Sequence, residues 1–307
     1  MPARQHYAPP GPLGFGGAPL GNMFERVSDA DATATLQAAW DCGIRYFDTA
    51  PEYGPGISEH RFGEFLRNHP RDGFVLSTKV GRLLRADASK GGQHGPFVAG
   101  LPFRVDYDYT ADGARRSIED SLQRMGLDSI DIVLIHDLSP DNADMGERWT
   151  EYFEQARTGA FVELTKMRDE GLIKAWGMGV NTPDPALRAI EVADPDIFLL
   201  ACQYSLLDHQ RALDDTFPKL AERDISVIVG SPLLAGFLAG RDRYLYGAQP
   251  VPPDSEEKRA TAQRIVAAHG VDLRTVSLQF ANAPDVVSAI VPGSRNAAQV
   301  AENVASM

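Results

Sequence analysis

Short apolar runs that alternate with helix-like segments constrain this chain more than any other feature. Strand–helix alternation repeated about eight times in 307 residues fits a closed barrel or an open doubly wound sheet, and the number of repeats favours the barrel. Most runs are uniformly apolar, which is typical of parallel strands covered by helices. We therefore predict an α/β protein, a single (β/α)8 TIM barrel domain over residues 1–307. The runs are LGFGG (13–17), IRYFDTA (44–50), FVLSTKV (74–80), DIVLIHD (131–137), IKAWGMGV (173–180), IFLLACQYS (197–205), ISVIVGSP (225–232) and VVSAIVPG (286–293).

Helix-terminal signals mark several of the segments between these runs. Polar residues that accept backbone hydrogen bonds begin them, and glycines that tolerate a left-handed backbone end them. The predicted amino-terminal caps are Ser28, Thr110 and Ser255, and the predicted terminators are Gly43, Gly171 and Gly270.

Two long connections interrupt this pattern. Residues 81–109 show no convincing helix, so we predict a functional or mobile loop there, and residues 138–159 are partly helical in pattern. The sequence ends with VAENVASM (300–307), so either the last helix is short or the natural chain continues.

Charge and cysteine usage exclude several functional classes. A net charge of -12 argues against binding to nucleic acid or to an anionic membrane surface. Cys42 and Cys202 lie in apolar runs without metal-type spacing, and we expect buried, reduced thiols. The first residues, MPARQHYAPPGPLGFGG, do not resemble a secretory signal, and no apolar run reaches the length of a membrane span. We expect a cytoplasmic protein whose partner is a small-molecule substrate, with its oligomeric state open.

Ionisable side chains follow three consecutive predicted strands. Asp48 ends the second run, Tyr53 lies in the loop after it, Lys79 ends the third, and His136 ends the fourth, followed by Asp137. Since the carboxyl ends of barrel strands meet at one face, these groups are expected to lie close together.

Such a group suits proton transfer to or from a carbonyl oxygen. A phenol with an ordinary pKa of about 10 is too weak an acid for efficient work near neutrality. A neighbouring ammonium lowers that pKa, so we expect Lys79 to acidify Tyr53 while Asp48 holds Lys79 charged. His136 is placed to hydrogen-bond the substrate oxygen.

Each of these residues alone also has a plain structural explanation. A loop tyrosine, a strand-end ion pair and a satisfied histidine are all common, and the combination is what favours catalysis. Asp137 either hydrogen-bonds His136 or faces solvent. Metal-type spacing is missing, so no metal is predicted. Further histidines (His60, His94, His209) form no ligand set, the tryptophans (Trp40, Trp149, Trp176) are expected to pack, and three loop aromatics (Phe97, Phe103, Tyr107) line a pocket or anchor their loop.

Seven motifs follow one another along nearly the whole chain: GIRYFDTAPEYG (43–54), LSTKVG (76–81), GLDSIDIVLIHD (126–137), GLIKAWGMGVN (171–181), QYSLLD (203–208), GSPL (230–233) and VPGSRNAAQVAEN (291–303). Together they resemble the aldo/keto reductase superfamily. Within it, LGFGGAPLGN (13–22), IVLIHD (132–137) and RYLYGAQPVPP (243–253) most resemble the D-threo-aldose 1-dehydrogenases, also called L-fucose or galactose dehydrogenases, with pyridoxal 4-dehydrogenases close by.

The resemblance implies an activity and a catalytic tetrad. Asp48, Tyr53, Lys79 and His136 match the family's four groups, and histidine rather than glutamate at the fourth place implies carbonyl–alcohol chemistry. By resemblance, a hydride passes between a nicotinamide and a sugar's anomeric carbon, with Tyr53 as the acid or base.

The resemblance also implies a nicotinamide cofactor extended across the barrel mouth, although no G-x-G-x-x-G fingerprint precedes a helix. Asn181 and Gln203 match carboxamide contacts, with Asn181 open to a one-place shift. Ser231 and Leu233 match pyrophosphate contacts. The helix start after Gly293 and Ser294 would face the adenosine phosphate region. Gln299 and Asn303 would meet the adenine.

Three departures from the family pattern bear on the cofactor and the substrate. Gly230 replaces a frequent aromatic beside the nicotinamide. Gly293 and Gln299 replace cationic residues that meet a 2′-phosphate, leaving Arg295 nearby, so we favour NAD with use of NADP still open. The pair Gly17-Ala18 replaces a bulky tryptophan, which leaves room for a polar ring.

Three functions stay open at this point. The first is an NAD(P)-dependent sugar 1-dehydrogenase for L-fucose-like or D-threo aldoses. The second is oxidation of pyridoxal, or general aldehyde reduction. The third, from another class, is a nicotinamide-binding regulatory subunit with little turnover, which the intact tetrad disfavours.

Overall fold

The computed structural model describes residues 7–246 and 250–307. The first six residues, part of the stretch compared with secretory signals, and residues 247–249, part of RYLYGAQPVPP, lie outside the described residues. Within the described ranges, no helix is both long and apolar enough to cross a bilayer.

Eight parallel strands of the described chain form a barrel, as the sequence predicts. Their order around the barrel follows the chain order. Gly14 N donates to Ile290 O at 2.8 Å and Ile290 N donates to Pro12 O at 2.9 Å, so the first and last strands also meet. The barrel strands are β1 (Phe15–Gly16), β2 (Tyr46–Asp48), β3 (Val75–Val80), β8 (Ile132–His136), β9 (Ala175–Val180), β10 (Ile197–Ala201), β11 (Ser226–Gly230) and β12 (Val287–Val291).

Strand register brings the predicted functional residues to one end of the barrel. Asp48 is the last residue of β2 and pairs with Ser77, while Lys79 near the end of β3 pairs with Leu134 of β8. His136 closes β8 and pairs with Gly179. These side chains therefore leave the sheet at the carboxyl edge, where the connecting loops form the barrel mouth.

Helices cover the outside of the barrel, and most predicted caps are present. Ser28 accepts a hydrogen bond from Asp31 N and Thr110 accepts one from Gly113 N. The helix predicted to start at Ser255 begins two residues earlier, because prolines at 252 and 253 pre-set its first turn. The helices are α1 (Asp29–Asp41), α2 (Ile57–Leu66), α3 (Ala111–Met125), α4 (Trp149–Thr158), α5 (Ala160–Asp169), α6 (Pro183–Val192), α7 (Phe217–Ala221), α8 (Pro253–Ala268), α9 (Leu273–Asn282) and α10 (Ala297–Ala305).

Apolar side chains fill both faces of the barrel strands. The barrel interior holds a cluster that includes Tyr46, Leu134 and Ile228, and a larger cluster fills the layer between strands and helices. Trp176 is fully buried within the larger cluster, and Trp40 and Trp149 pack against that cluster, so the three tryptophans have packing roles.

The long connection 81–109 is more ordered than predicted. It holds two antiparallel hairpin-like pairs that lie over the barrel mouth rather than a loop without regular structure. Their hydrogen bonds join residues up to 25 positions apart, and glycines and polar residues between them hide the strand alternation in the sequence. The four strands are β4 (Arg82–Ala86), β5 (Gly92–His94), β6 (Phe97–Gly100) and β7 (Phe103–Tyr107).

The predicted burial of both cysteines is wrong. Cys42 is exposed at the carboxyl end of α1, and Cys202 is half-buried. Both thiols are free, as expected. Cys42 follows an amphipathic helix, and an apolar stretch of sequence does not specify which helix face its last residue joins.

Candidate active site

Lys79 is the centre of a hydrogen-bonded group at the barrel mouth. Its Nζ lies 2.9 Å from Asp48 Oδ2, 2.9 Å from Thr49 O and 3.0 Å from Tyr53 Oη. These contacts use all three ammonium donors. Lys79 and Asp48 are both almost fully buried, and Ser77 Oγ donates to Asp48 Oδ1 at 2.6 Å. The predicted contact of the ammonium with both the phenol and the carboxylate is present.

The predicted net acidification of Tyr53 is wrong. Burial raises the pKa of Tyr53 to about 12, although the Lys79 ammonium lowers it. Burial also opposes the charge on Lys79, but Asp48 and Tyr53 outweigh it and hold the pKa of Lys79 above its ordinary value. Desolvation therefore dominates, and Tyr53 carries its proton at neutral pH.

His136 is a buried, neutral imidazole beside Tyr53. The two ring centroids lie 5.8 Å apart in an edge-on arrangement. Burial, followed by the positive charges of Arg82 and Lys79, lowers the pKa of His136 well below its ordinary 6.5. Asp137 Oδ2 lies 3.6 Å from His136 Nε2, beyond hydrogen-bond distance, so the predicted alternative in which Asp137 holds the imidazole by a hydrogen bond is not realised.

This neutral histidine makes stability depend on pH. The pKa of His136 is lower in the folded than in the unfolded chain, so the unfolded chain takes up a proton first as pH falls below about 6.5. We expect wild type to lose more unfolding free energy than His136→Gln between pH 6.5 and 5.0, on the order of 2 kcal/mol more, provided the folded-state imidazole stays neutral over this range. Urea unfolding at both pH values measures this difference. Equal losses in the two proteins would contradict the assignment.

An ionic cluster next to the tetrad was not foreseen from the sequence. Arg82, the first residue of β4, forms ion pairs with Glu52 and with Asp137, the latter at 3.2 Å. Glu52, His136 and Asp137 also bring ligand-type atoms within 4.8 Å of one another. Arg82 already supplies a cation to both carboxylates, and the expectation of no metal stays a prediction. The only indication of this cluster in the sequence was Arg82 itself, which lies two residues after Val80, where β3 ends.

A cavity of about 820 Å³ extends from the tetrad across the barrel mouth. This volume is within the range of sites for cofactors and small ligands. Of the residues predicted to contact a cofactor, seven line it: Asn181, Ser231, Leu233, Gly293, Arg295, Gln299 and Asn303.

Two predicted contacts do not line this cavity. Ser294 is buried behind it and accepts a hydrogen bond from Asn303 Nδ2 at 3.1 Å. Gln203 donates from Nε2 to Val180 O at 2.9 Å. Among the described residues its buried Oε1 has no partner, but Gln203 does not line the cavity, so its carboxamide contact stays a prediction.

Asn181 lines the cavity but its side chain is already engaged. Its Nδ2 donates to Asp141 Oδ2 at 3.0 Å, and its Oδ1 accepts from Tyr246 Oη at 3.0 Å. A carboxamide contact through this side chain therefore requires one of these bonds to open.

Backbone space explains two of the departures from the family pattern. A Cβ at Gly293 would lie 2.6 Å from Pro19 Cγ, and a Cβ at Gly17 would lie 2.5 Å from Asp48 O. Contacts this short are too close for real atoms, so a side chain at either position would force the neighbouring segment to move. Gly17 and Ala18 line the cavity, so the expected space beside Tyr53 is present.

One of the three loop aromatics lies at the cavity. Phe97 lines it, with its ring centroid 5.8 Å from that of Tyr53. Phe103 and Tyr107 are in the neighbouring strand β7 and are not among the lining residues. Tyr107 anchors its loop by donating to Asp144 at 3.1 Å.

Comparisons of the sequence with known proteins agree on one family. Residues 12–307 match the aldo/keto reductase family. The chain is 38% identical to a D-threo-aldose 1-dehydrogenase of Pseudomonas sp., over 95% of this chain and 87% of that protein. It is also 38% identical to a pyridoxal 4-dehydrogenase of Microbacterium luteolum, over 95% and 88% of the two chains.

Solved structures show the same fold. A glycerol dehydrogenase from Gluconobacter oxydans superposes with a TM-score of 0.71 at 23% identity, covering 99% of this chain and 90% of that one. At such identity the likeness concerns the fold alone. The family match over nearly the whole chain and the two relatives at 38% identity carry the assignment: this chain belongs to the aldo/keto reductase family and is an oxidoreductase acting on CH–OH or carbonyl groups.

Proposed function

We propose that this chain, as one domain over residues 1–307, is an NAD(P)-dependent sugar 1-dehydrogenase. It would transfer hydride between a nicotinamide and the anomeric carbon of L-fucose-like or D-threo aldoses. The observation that carries the proposal is the contact of 3.0 Å between Lys79 Nζ and Tyr53 Oη, with Asp48 holding the ammonium. Similarity to a D-threo-aldose 1-dehydrogenase supports the substrate class.

Tyr53 would act as the general acid/base at the substrate oxygen. In carbonyl reduction the protonated phenol donates to the oxygen that gains charge. In oxidation the phenolate, stabilised by Lys79, takes the hydroxyl proton. Because the pKa of Tyr53 is about 12, the phenolate is the minor form at neutral pH, and oxidation is expected to be faster in alkaline solution.

His136 would orient the substrate oxygen. Its Nδ1 is buried without a hydrogen-bond partner among the described residues, and the ring lies edge-on to Tyr53. A neutral imidazole carries one N–H, which is able to donate to a carbonyl oxygen without competing with Tyr53 for its proton.

A bound nicotinamide would supply or accept the hydride. Ser231 and Leu233, which line the cavity, would hold the pyrophosphate region, and Gln203 would have to turn its unpaired Oε1 into the cavity to meet the carboxamide. The amino end of α10, with Gln299 and Asn303, would hold the adenosine.

We favour NAD over NADP because little free positive charge remains where a 2′-phosphate would lie. Arg295 is ion-paired with Glu25, and a lysine at position 293 would clash with Pro19. We expect a lower Kd for NAD than for NADP, and Glu25→Gln should improve NADP binding while leaving NAD unchanged. Fluorescence titration at fixed ionic strength measures both. A preference of wild type for NADP above tenfold, about 1.4 kcal/mol, would contradict the proposal.

Pyridoxal is the second candidate substrate. The pyridoxal 4-dehydrogenase relative is as similar in sequence as the aldose dehydrogenase, and the ring of Phe97 beside Tyr53 offers a face for an aromatic substrate. The test is turnover of a panel of aldoses and of pyridoxal with NAD and with NADP. Many turnovers per chain on aldoses support the proposal. Turnover of pyridoxal but of no aldose would contradict the sugar proposal and favour pyridoxal as the substrate.

A further inference from the structure

Three charged side chains form a wall of the cavity beside Tyr53, which we call the Arg82 cluster: Glu52, Arg82 and Asp137. Arg82 bridges the two carboxylates, and its side chain is only 6% exposed. Glu52 lies in the loop after β2, Arg82 begins β4, and Asp137 follows β8, so three separate elements place these groups at one point. The proposed acid/base chemistry of Tyr53 uses none of them.

Among the described residues, three buried polar atoms at this wall make no hydrogen bond, and one of them, Glu52 Oε2, is ion-paired with Arg82. The other two are Arg82 Nε and His136 Nδ1, although both residues are 5% exposed and line the cavity. A buried N–H without an acceptor costs free energy, and such groups in native proteins usually face a ligand or water. Arg82 and His136 line the cavity, so a ligand oxygen there can accept a hydrogen bond from either side chain.

The charges around Arg82 determine which kind of ligand oxygen is favoured at this wall. Asp141 and Asp144 also line the cavity, and their charges act on Asp137 and on His94, the neighbour of Glu52, so four carboxylates accompany the Arg82 guanidinium at this wall. A phosphate or carboxylate would meet this negative charge and be repelled. A hydroxyl accepts from Arg82 and donates to Glu52 or Asp137 at the same time.

We propose that the Arg82 cluster binds hydroxyl groups of an uncharged, polyhydroxylated substrate and discriminates against phosphorylated analogues. This inference rests on the proposed function and narrows its substrate class. Phe97, packed beside Tyr53, offers an apolar surface to the C–H face of such a substrate. Arg82 is a specificity-determining residue in this arrangement and does not touch the transferred proton.

Paired substrates test this selectivity on the purified full chain with its nicotinamide. We expect wild type to reduce glyceraldehyde with a kcat/KM at least about tenfold above that for glyceraldehyde 3-phosphate. In Arg82→Met, KM for glyceraldehyde should rise about 10- to 100-fold because a hydrogen bond to a charged group is lost. Benzaldehyde, which has no hydroxyl, should be affected far less. Asp137→Asn removes one negative charge, so it should lower the ratio of kcat/KM for glyceraldehyde to kcat/KM for glyceraldehyde 3-phosphate.

Arg85→Met is the matched control. Arg85 lies on the same strand, is about one-third exposed, pairs with Asp106 at 3.9 Å and does not line the cavity. Its substrate preferences should equal those of wild type. If Arg82→Met fails to fold, Arg82→Lys keeps the charge but removes Nε, and the same rise in KM is expected.

The outcomes separate this inference from the proposed function. A wild-type preference for the phosphorylated aldehyde, or equal losses on glyceraldehyde and benzaldehyde in Arg82→Met, would overturn the inference alone. Absence of turnover on every aldose and aldehyde would overturn the proposed function. In that case, isothermal titration calorimetry with L-fucose still tests the inference. A higher Kd for Arg82→Met than for wild type supports it, and equal Kd values refute it.

Discussion

Replacing Tyr53 with phenylalanine is expected to lower kcat by about 10²- to 10⁴-fold while the nicotinamide still binds. The substitution removes one hydroxyl and leaves the ring that packs beside Phe97 and His136. The Lys79 ammonium keeps Asp48 and Thr49 O as partners, so the buried charge stays compensated. The expected loss therefore reports proton transfer and not a collapse of the site.

Steady-state kinetics in both directions, together with cofactor titration, measures this loss. Tyr107→Phe is a suitable control, because Tyr107 also donates through its hydroxyl, to Asp144, but does not line the cavity. Its kcat should stay close to that of wild type. A rate for Tyr53→Phe within a few-fold of wild type would remove Tyr53 from the proposed role.

Replacing Lys79 with methionine is expected to cost both activity and stability. Asp48, 3% exposed, would lose its ammonium partner and remain buried with Ser77 as a donor. Breaking a buried ion pair by removing one partner typically costs about 3–5 kcal/mol, because an uncompensated charge stays inside. The phenolate of Tyr53 would lose its stabilising charge at the same time, so kcat should fall as well.

A double variant separates the two effects of this substitution. Asp48→Asn combined with Lys79→Met removes both charges, so much of the lost stability should return while activity does not. Urea unfolding and steady-state kinetics of wild type, the two single variants and the double variant give the coupling free energy between Asp48 and Lys79. Lys174→Met is the control: Lys174 is 60% exposed in its pair with Asp131 and should cost no more than about 1 kcal/mol. A Lys79→Met protein as stable as this control would contradict the buried pair.

The sequence was sufficient for the barrel and for the location of the tetrad. Apolar runs of strand length, each followed by a helix, permit few architectures, and the carboxyl ends of parallel strands share one face. Asp48, Lys79 and His136 stand at such ends, so their proximity follows from strand order alone. The pairing of Lys79 with Asp48 follows as well, since each is the natural partner of the other's buried charge.

Tertiary structure alone decided the electrostatics and the second ionic group. Burial raises the pKa of Tyr53 more than Lys79 lowers it, and burial depends on loops far away in the chain. Arg82 meets Glu52 and Asp137 because the connection 81–109 folds back as hairpins over the barrel mouth, which its irregular sequence did not indicate. Desolvation and contacts between distant segments are properties of the packed chain, so local patterns determine the barrel and its strand ends but not the charge state or the neighbours of the groups placed there.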